Sequence, residues 1–288
     1  MTIWTELAGL DFEVSMVDAG GVPTRSLRAG KGEPLVFLHG TSGHLEAFTR
    51  NLVPHAAHYA CHAIDMLGHG YTGKPDYRYE IPRYVEHLVA YLDAVGINRV
   101  HLAGESLGGW VAGWLAIEAP ERVASLQLIA AGGTVANPAV MARIKDSTTR
   151  AVTTDDIELT RQRLRLLMHD PANATEELVA VRHRIYHQPD FVANLPNLLC
   201  LQELEIRNRN LLTAQRLARI SAPTMVVWGQ QNPFGEVPEA QRVAATIPGA
   251  RLELLPECGH WPQHEQHERY NALSLEFLAK YSAKYSAG

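Results

Sequence analysis

The chain has 288 residues, a net charge of -5 and 46 % apolar side chains. That length suits one large α/β domain, or a core domain with an inserted subdomain. Mild acidity and scattered basic residues exclude nucleic acid and an anionic membrane as expected partners, and no stretch approaches the ~20 apolar residues that span a bilayer.

Met1 to Leu10 lacks a basic start and a long apolar run, so a signal peptide is not expected there. Phe12 to Val17 and Thr24 to Leu27 read as an antiparallel hairpin turning on Gly20-Gly21-Val22-Pro23. Pro34 to Leu38 is a short apolar run ending in His39-Gly40, as a buried parallel strand would be, and His62 to Asp65 is another. Ile81 to Val95 reads as a helix, with Pro82 at its start and Gly96 after its end. Val100 to Ala103 then reads as a strand, Leu107 to Ala119 as a helix, and Val123 to Ala130 as a further strand. From Thr134 the alternation stops. Thr154 to Met168, Thr175 to Tyr186 and Pro196 to Arg209 are charged and amphipathic, the pattern of a helical insertion. Alternation resumes with the strand Pro223 to Gly229, a helix over Pro238 to Thr246, the strand Arg251 to Leu255 and a last helix over Glu265 to Tyr281. The tail from Lys280 to Gly288 is expected to fray. The repeated strand–helix units predict a mainly parallel, doubly wound sheet: a core of residues 1–133 and 213–288, with a helical cap at 134–212.

The chemistry starts at Gly104-Glu105-Ser106-Leu107-Gly108-Gly109. A G-x-S-x-G between a strand and a helix lifts the serine hydroxyl clear of the sheet edge on a strained turn. A serine needs a base, and the base must follow late in the chain in this arrangement. His260, in Cys258-Gly-His-Trp261 after the Arg251–Leu255 strand, is that candidate. Most of the other histidines, such as His55, His58, His169, His183 and His267, read as surface residues. The oxyanion needs two backbone N–H donors. Leu107 supplies one, and Thr41 or Ser42, in the loop after the Pro34–Leu38 strand, the other.

The acid that orients the histidine belongs in the turn after Met225 to Trp228, where the sequence reads Gln230-Gln231-Asn232-Pro233-Phe234-Gly235-Glu236. Asn232 accepts an imidazole N–H through its amide oxygen but brings no charge. In a serine protease the matching Asp-to-Asn change costs about ten-thousandfold in turnover. Either Asn232 orients His260, or Glu236 reaches in from the longer loop, or, failing both, the chain is an inactivated variant or a protein with different chemistry. Cys61, Cys200 and Cys258 form no C-x-x-C pair and suggest neither disulfides nor zinc. Arg161, Arg163 and Arg165 read as a solvated helix face. No metal or organic cofactor is expected; a small-molecule substrate is, in a cytoplasmic setting. The oligomeric state stays open, a homo-oligomer being admissible.

His39-Gly40, Asp65-Met-Leu-Gly-His-Gly70, the Ser106 turn, Trp228-Gly229 and Gly259-His260 together resemble the α/β-hydrolase fold over nearly the whole chain. Within it, Cys258-Gly-His-Trp-Pro-Gln-His-Glu265 and Phe48-Thr-Arg-Asn-Leu52 resemble the meta-cleavage product hydrolases, which split a carbon–carbon bond in vinylogous 1,5-diketones from aromatic-ring degradation. The resemblance implies the same activity here, with Gly40, Asn51, Trp261 and a cap arginine as substrate-binding residues. Arg182 and Arg184 are candidates for that arginine, and a surface position for both is equally open. The chain departs from the family at Glu105, where asparagine is usual before the serine, in an oxyanion loop poorer in glycine, and at Asn232. Carboxylester or lactone hydrolysis is the alternative activity. A non-hydrolytic ligand-binding protein on the same scaffold is the alternative of another class.

Overall fold

A computed structural model describes residues 2–282. Eight strands form one sheet: β1 (Phe12–Ala19), β2 (Val22–Ala29), β3 (Pro34–Leu38), β4 (Ala60–Ile64), β5 (Val100–Glu105), β6 (Val123–Ile129), β7 (Thr224–Gly229) and β8 (Arg251–Leu255). Their order is β1-β2-β4-β3-β5-β6-β7-β8. β1 and β2 form the antiparallel hairpin, β2 runs antiparallel to β4, and every later pairing is parallel. The loops after β3, β5, β7 and β8 therefore open along one edge, where such sheets bind ligands.

Side chains on β3 alternate between two cores. Val36 and Leu38 join one apolar cluster, and Leu35 and Phe37 the other. All four are fully buried, as the two-residue period of a covered strand demands. The first core takes in the helices α2 (Ile81–Ala94) and α3 (Leu107–Glu118), and the second takes in α1 (Thr49–Ala56) and the C-terminal α10 (His267–Tyr281). Between β7 and β8 lies α9 (Val237–Thr246).

The chain between β6 and β7 carries α4 (Pro138–Thr153), α5 (Ile157–Arg165), α6 (Glu176–Tyr186), α7 (Pro189–Leu198) and α8 (Leu204–Asn210). Their apolar faces extend both cores: Ile185, Phe191 and Leu198 join the first, and Leu164, Leu178 and Val179 the second. Two helices here differ from expectation. α4 was not foreseen, although Asn137 caps it, its Oδ1 accepting from the N–H groups of Ala139 and Val140 at 3.0 and 3.3 Å, with Pro138 in the first turn. The expected helix over Pro196–Arg209 is two helices with a short turn at Cys200–Gln202. Pro196 lies inside α7, contributing no N–H, and the chain leaves helical geometry at Glu203. The last helix lies where expected, α10 beginning at His267, with a separate single helical turn at Pro262–Glu265 ahead of it. The tail past Ser282 lies outside the described residues. Among the described residues no helix is long and apolar enough to cross a membrane.

Candidate active site

Ser106 stands between β5 and α3, capping the helix with φ 52° and ψ -112°, a conformation that costs a non-glycine residue of order 1–3 kcal/mol. The glycines around it make the turn fit. A Cβ on Gly104 would lie 2.3 Å from the Gly108 carbonyl oxygen, and one on Gly108 would lie 2.1 Å from that of Leu38. The Ser106 carbonyl accepts from Trp110 and Gly132, at 3.0 and 2.9 Å, so both sides of the turn are anchored.

His260 follows β8, and its ring is buried. Its Nδ1 lies 2.9 Å from Asn232 Oδ1. That oxygen also accepts from the Phe234 N–H at 3.1 Å, which fixes the amide with its oxygen toward the histidine. Since Asn232 offers an acceptor, Nδ1 carries the ring proton and Nε2 is left with its lone pair. The imidazole packs edge-on against Phe234, centroids 4.9 Å apart. Burial, assisted by the charge of Arg163, pushes its pKa down to about 3. Glu236 stands exposed at the start of α9, so it is Asn232, not Glu236, that meets the histidine.

Two contacts hold the histidine loop. The His260 N–H donates to the Leu167 carbonyl, beyond α5, at 2.7 Å. The Glu265 carboxylate accepts from Gly259 at 2.9 Å, Trp261 at 3.3 Å and His169 at 2.6 Å. In the sequence Glu265 is only the end of a motif, and its role as a clamp does not follow from spacing.

Ser106 and His260 line two adjoining hollows. One also holds Gly40, Thr41, Glu105, Arg163, Phe234 and Trp261. The other holds Leu107, Trp110, Val140, Ile144, Asn232 and, at its far wall, Gln202 and Arg207. Leu107 opens α3, where first-turn N–H groups have no partner inside the helix. Thr41 lines both hollows. Ser42 is buried, and its hydroxyl accepts from the Tyr186 hydroxyl at 3.0 Å.

Several expectations need correction. Asn51 does not line either hollow; its amide donates to the Gln263 carbonyl and Asn271 Oδ1, tying α1 to α10. His55 is buried beside it, bonded to the Asn51 carbonyl and Ser274 Oγ. Arg163 is not on a solvated face: it is buried, its Nε bonds Thr148 Oγ1 at 3.2 Å, and its guanidinium lies 5.8 Å from the Phe234 ring centre. Arg182 is fully buried too, while Arg184 is exposed. Arg182 sits 5.2 Å from the Trp261 ring centre, with Nε 3.3 Å from His44 Nε2. Arg163 Nη1 and both terminal nitrogens of Arg182 have no hydrogen-bond partner among the described residues. Buried guanidinium nitrogens left open in this way suit an anion. Among the described residues a separate group, Asp155, His183 and His187, brings ligand atoms within 4.8 Å of one another on the insertion; none of the three lines either hollow.

Glu105, one residue before the nucleophile, is wholly buried, with Oε1 3.2 Å from His260 Nε2. A Cβ on Gly40 would sit 2.5 Å from Glu105 Oε2, so only glycine leaves room for this carboxyl group. Burial pushes its pKa up to about 8, against the opposing pull of Arg182, the Gly40 backbone and Arg163. The sequence had shown Glu105 only as a departure from a family pattern.

The α/β-hydrolase fold family model matches residues 33–266. A 2-hydroxy-6-oxo-6-phenylhexa-2,4-dienoate hydrolase of Burkholderia cepacia is 32 % identical over 262 residues, covering 87 % of this chain and 89 % of its own. A 2-hydroxymuconate semialdehyde hydrolase of Pseudomonas putida is 29 % identical over 93 % of this chain and 95 % of its own. Among solved structures, a serine hydrolase involved in carbazole degradation superposes with a TM-score of 0.80 at 27 % identity, covering 93 % of this chain and 99 % of its own. The chain is a hydrolase of the α/β-hydrolase family and belongs, within it, to the meta-cleavage product hydrolases.

Proposed function

We propose that this hydrolase cleaves the carbon–carbon bond next to the ketone of a 2-hydroxy-6-oxo-dienoate, using Ser106 as nucleophile and His260 as base. The observation that carries the catalytic part is the 2.9 Å contact from His260 Nδ1 to Asn232 Oδ1 beside the strained Ser106. It leaves Nε2 unprotonated, with Ser106 lining the same hollows as the ring. The substrate class follows the relatives' activity.

In this reading the substrate first ketonises, its enol proton moving to the carbon that will leave. Ser106 Oγ then adds to the ketone carbon while its proton passes to His260 Nε2. The carbonyl electron pair becomes an oxyanion held by the N–H groups of Leu107 and Thr41. As the carbonyl re-forms, the carbon–carbon bond breaks. Its electron pair goes to the leaving carbon as a dienolate, which takes the Nε2 proton. Water, deprotonated by His260, frees the acid from Ser106 in the same way. Helices α4–α8, roughly residues 134–212, would cap the site. The open guanidinium nitrogen of Arg163, which lines the hollow with Glu105 and Trp261, supports placing the substrate carboxylate there, with Arg182 packed behind Trp261. The apolar walls of the other hollow, Trp110, Val140 and Ile144, suit the acyl substituent. The cytoplasmic setting belongs to the same reading, supported by Cys61, Cys200 and Cys258 all being free thiols.

Incubation with a 6-phenyl dienoate ketone tests it. Benzoate and a 2-hydroxydienoate in equal amounts, absent with Ser106→Ala, is the expected result. Turnover of aryl esters and lactones without any cleavage of the ketone would favour the esterase alternative. Reversible binding with no turnover of either would overturn hydrolysis altogether.

A further inference from the structure

We infer that Glu105 takes the place of the missing aspartate, supplying the negative charge that stabilises the His260 imidazolium from its Nε2 side. This rests on Ser106 and His260 being the reacting pair.

Asn232 holds Nδ1–H but is neutral, so a proton arriving at Nε2 creates a cation with no counter-charge there. Of the carboxylates around the ring, Glu105 is the one in contact, its Oε1 at 3.2 Å from Nε2. Beyond the Gly40 backbone, no described residue holds either carboxyl oxygen by a hydrogen bond. Removing water from a charged group without a partner costs several kcal/mol, so a carboxyl group left this bare needs another charge to answer. Its surroundings are built for that. Gly40 leaves the space, and Arg163 from α5 and Arg182 from α6 bring positive charge to bear on Glu105. His39, next to Gly40, is turned onto the Gly40 carbonyl and the Met66 N–H instead.

The tautomer then sets the protonation states. With Nδ1 protonated, Nε2 and Oε1 share one proton at most in the resting protein. While that proton is held between them, Nε2 cannot take another from Ser106. Once Glu105 is ionised, the serine proton moves to Nε2, and imidazolium and carboxylate face one another as a neutral pair. Glu105 keeps its own protonation state through the cycle and forms no bond to substrate. It acts through His260, as a positioning and charge-balancing residue. The charges of Arg163 and Arg182, both felt at Glu105, then balance two anions, Glu105 and the substrate carboxylate.

Glu105→Gln is the main test, with Asn232→Asp and the double variant beside it. With Glu105 ionised in the active form, kcat/KM of wild type rises with pH to a plateau above about 8. Glu105→Gln should lose about a hundredfold in kcat and lose that limb. Adding Asn232→Asp to it should restore tenfold or more, because the charge returns at Nδ1. Wild-type rate and pH profile in Glu105→Gln, or no recovery in a folded double variant, would overturn the proposal. A second measurement does not depend on those variants folding. In 15N-histidine-labelled Ser106→Ala protein, the His260 Nε2 resonance should shift as Glu105 ionises near pH 8 while Nδ1 stays protonated; a flat Nε2 response from pH 6 to 10 would overturn it. Absence of any turnover by wild type would instead contradict the functional reading, and the resonance test would still decide on Glu105.

Discussion

Glu265→Ala should damage stability and activity together. The Glu265 carboxylate accepts from the N–H groups of Gly259 and Trp261, on either side of His260, and from His169 at the end of the α5 segment. Hydrogen bonds to a charged acceptor contribute about 1.5–3 kcal/mol each. His169 is exposed, so water replaces that bond, whereas the N–H groups of Gly259 and Trp261 belong to buried residues and lose theirs. The expected loss is about 3–5 kcal/mol, which for a chain of this size lowers Tm by roughly 6–15 °C. The freed loop also carries the base, and a displacement of about 1 Å at a reacting group costs on the order of a hundredfold in rate. Glu265→Gln retains one oxygen for Gly259 and Trp261 but turns an amide N–H toward that of His169, so it should lose only about 1 kcal/mol. Urea unfolding and kcat on an activated aryl ester measure both effects. Stability within 1 kcal/mol of wild type in Glu265→Ala, with kcat unchanged, would refute the clamp.

Asn232→Asp alone should raise kcat by about tenfold at most, far short of the ten-thousandfold of a protease whose histidine has no other carboxylate; a gain of a thousandfold would show that Glu105 contributes little. Glu236→Gln, on an exposed side chain, should leave kcat and KM unchanged in steady-state assays. Gly108→Ala drives a Cβ to 2.1 Å from the Leu38 carbonyl oxygen, so it should destabilise by about 3 kcal/mol or more in urea unfolding. Burial holds the pKa of His39, His260 and His264 at about 3 and that of His55, His62 and His87 at about 4. The unfolded chain binds those protons below 6.5 and the folded chain does not. Stability is therefore full above pH 6.5 and lost as pH falls toward 4, which urea midpoints at pH 7, 5.5 and 4.5 would show.

Local signals made the sheet legible. Short apolar runs ending in glycine marked β3, β5 and β7, and the serine turn announced itself because strain there demands glycine at fixed positions. What sequence spacing could not carry was contact between distant segments. Arg163 and Arg182 look like ordinary helix arginines until the insertion folds down and buries them. Asn51 sat in a motif that suggested substrate contact, yet its amide is consumed by Gln263 and Asn271. The Asn137-Pro138 start of α4 was a readable cap signal ahead of an amphipathic run. Glu105 was visible as an oddity, but its meaning depends on a 3.2 Å approach to a residue far along the chain.

The most direct test of the account is the mass of the protein after rapid mixing with an activated aryl ester. Wild type should gain one acyl group, mapped by digestion to Ser106, with a matching burst of the phenol, and Ser106→Ala should gain none. An unmodified wild type, or an adduct that persists in Ser106→Ala, would contradict it.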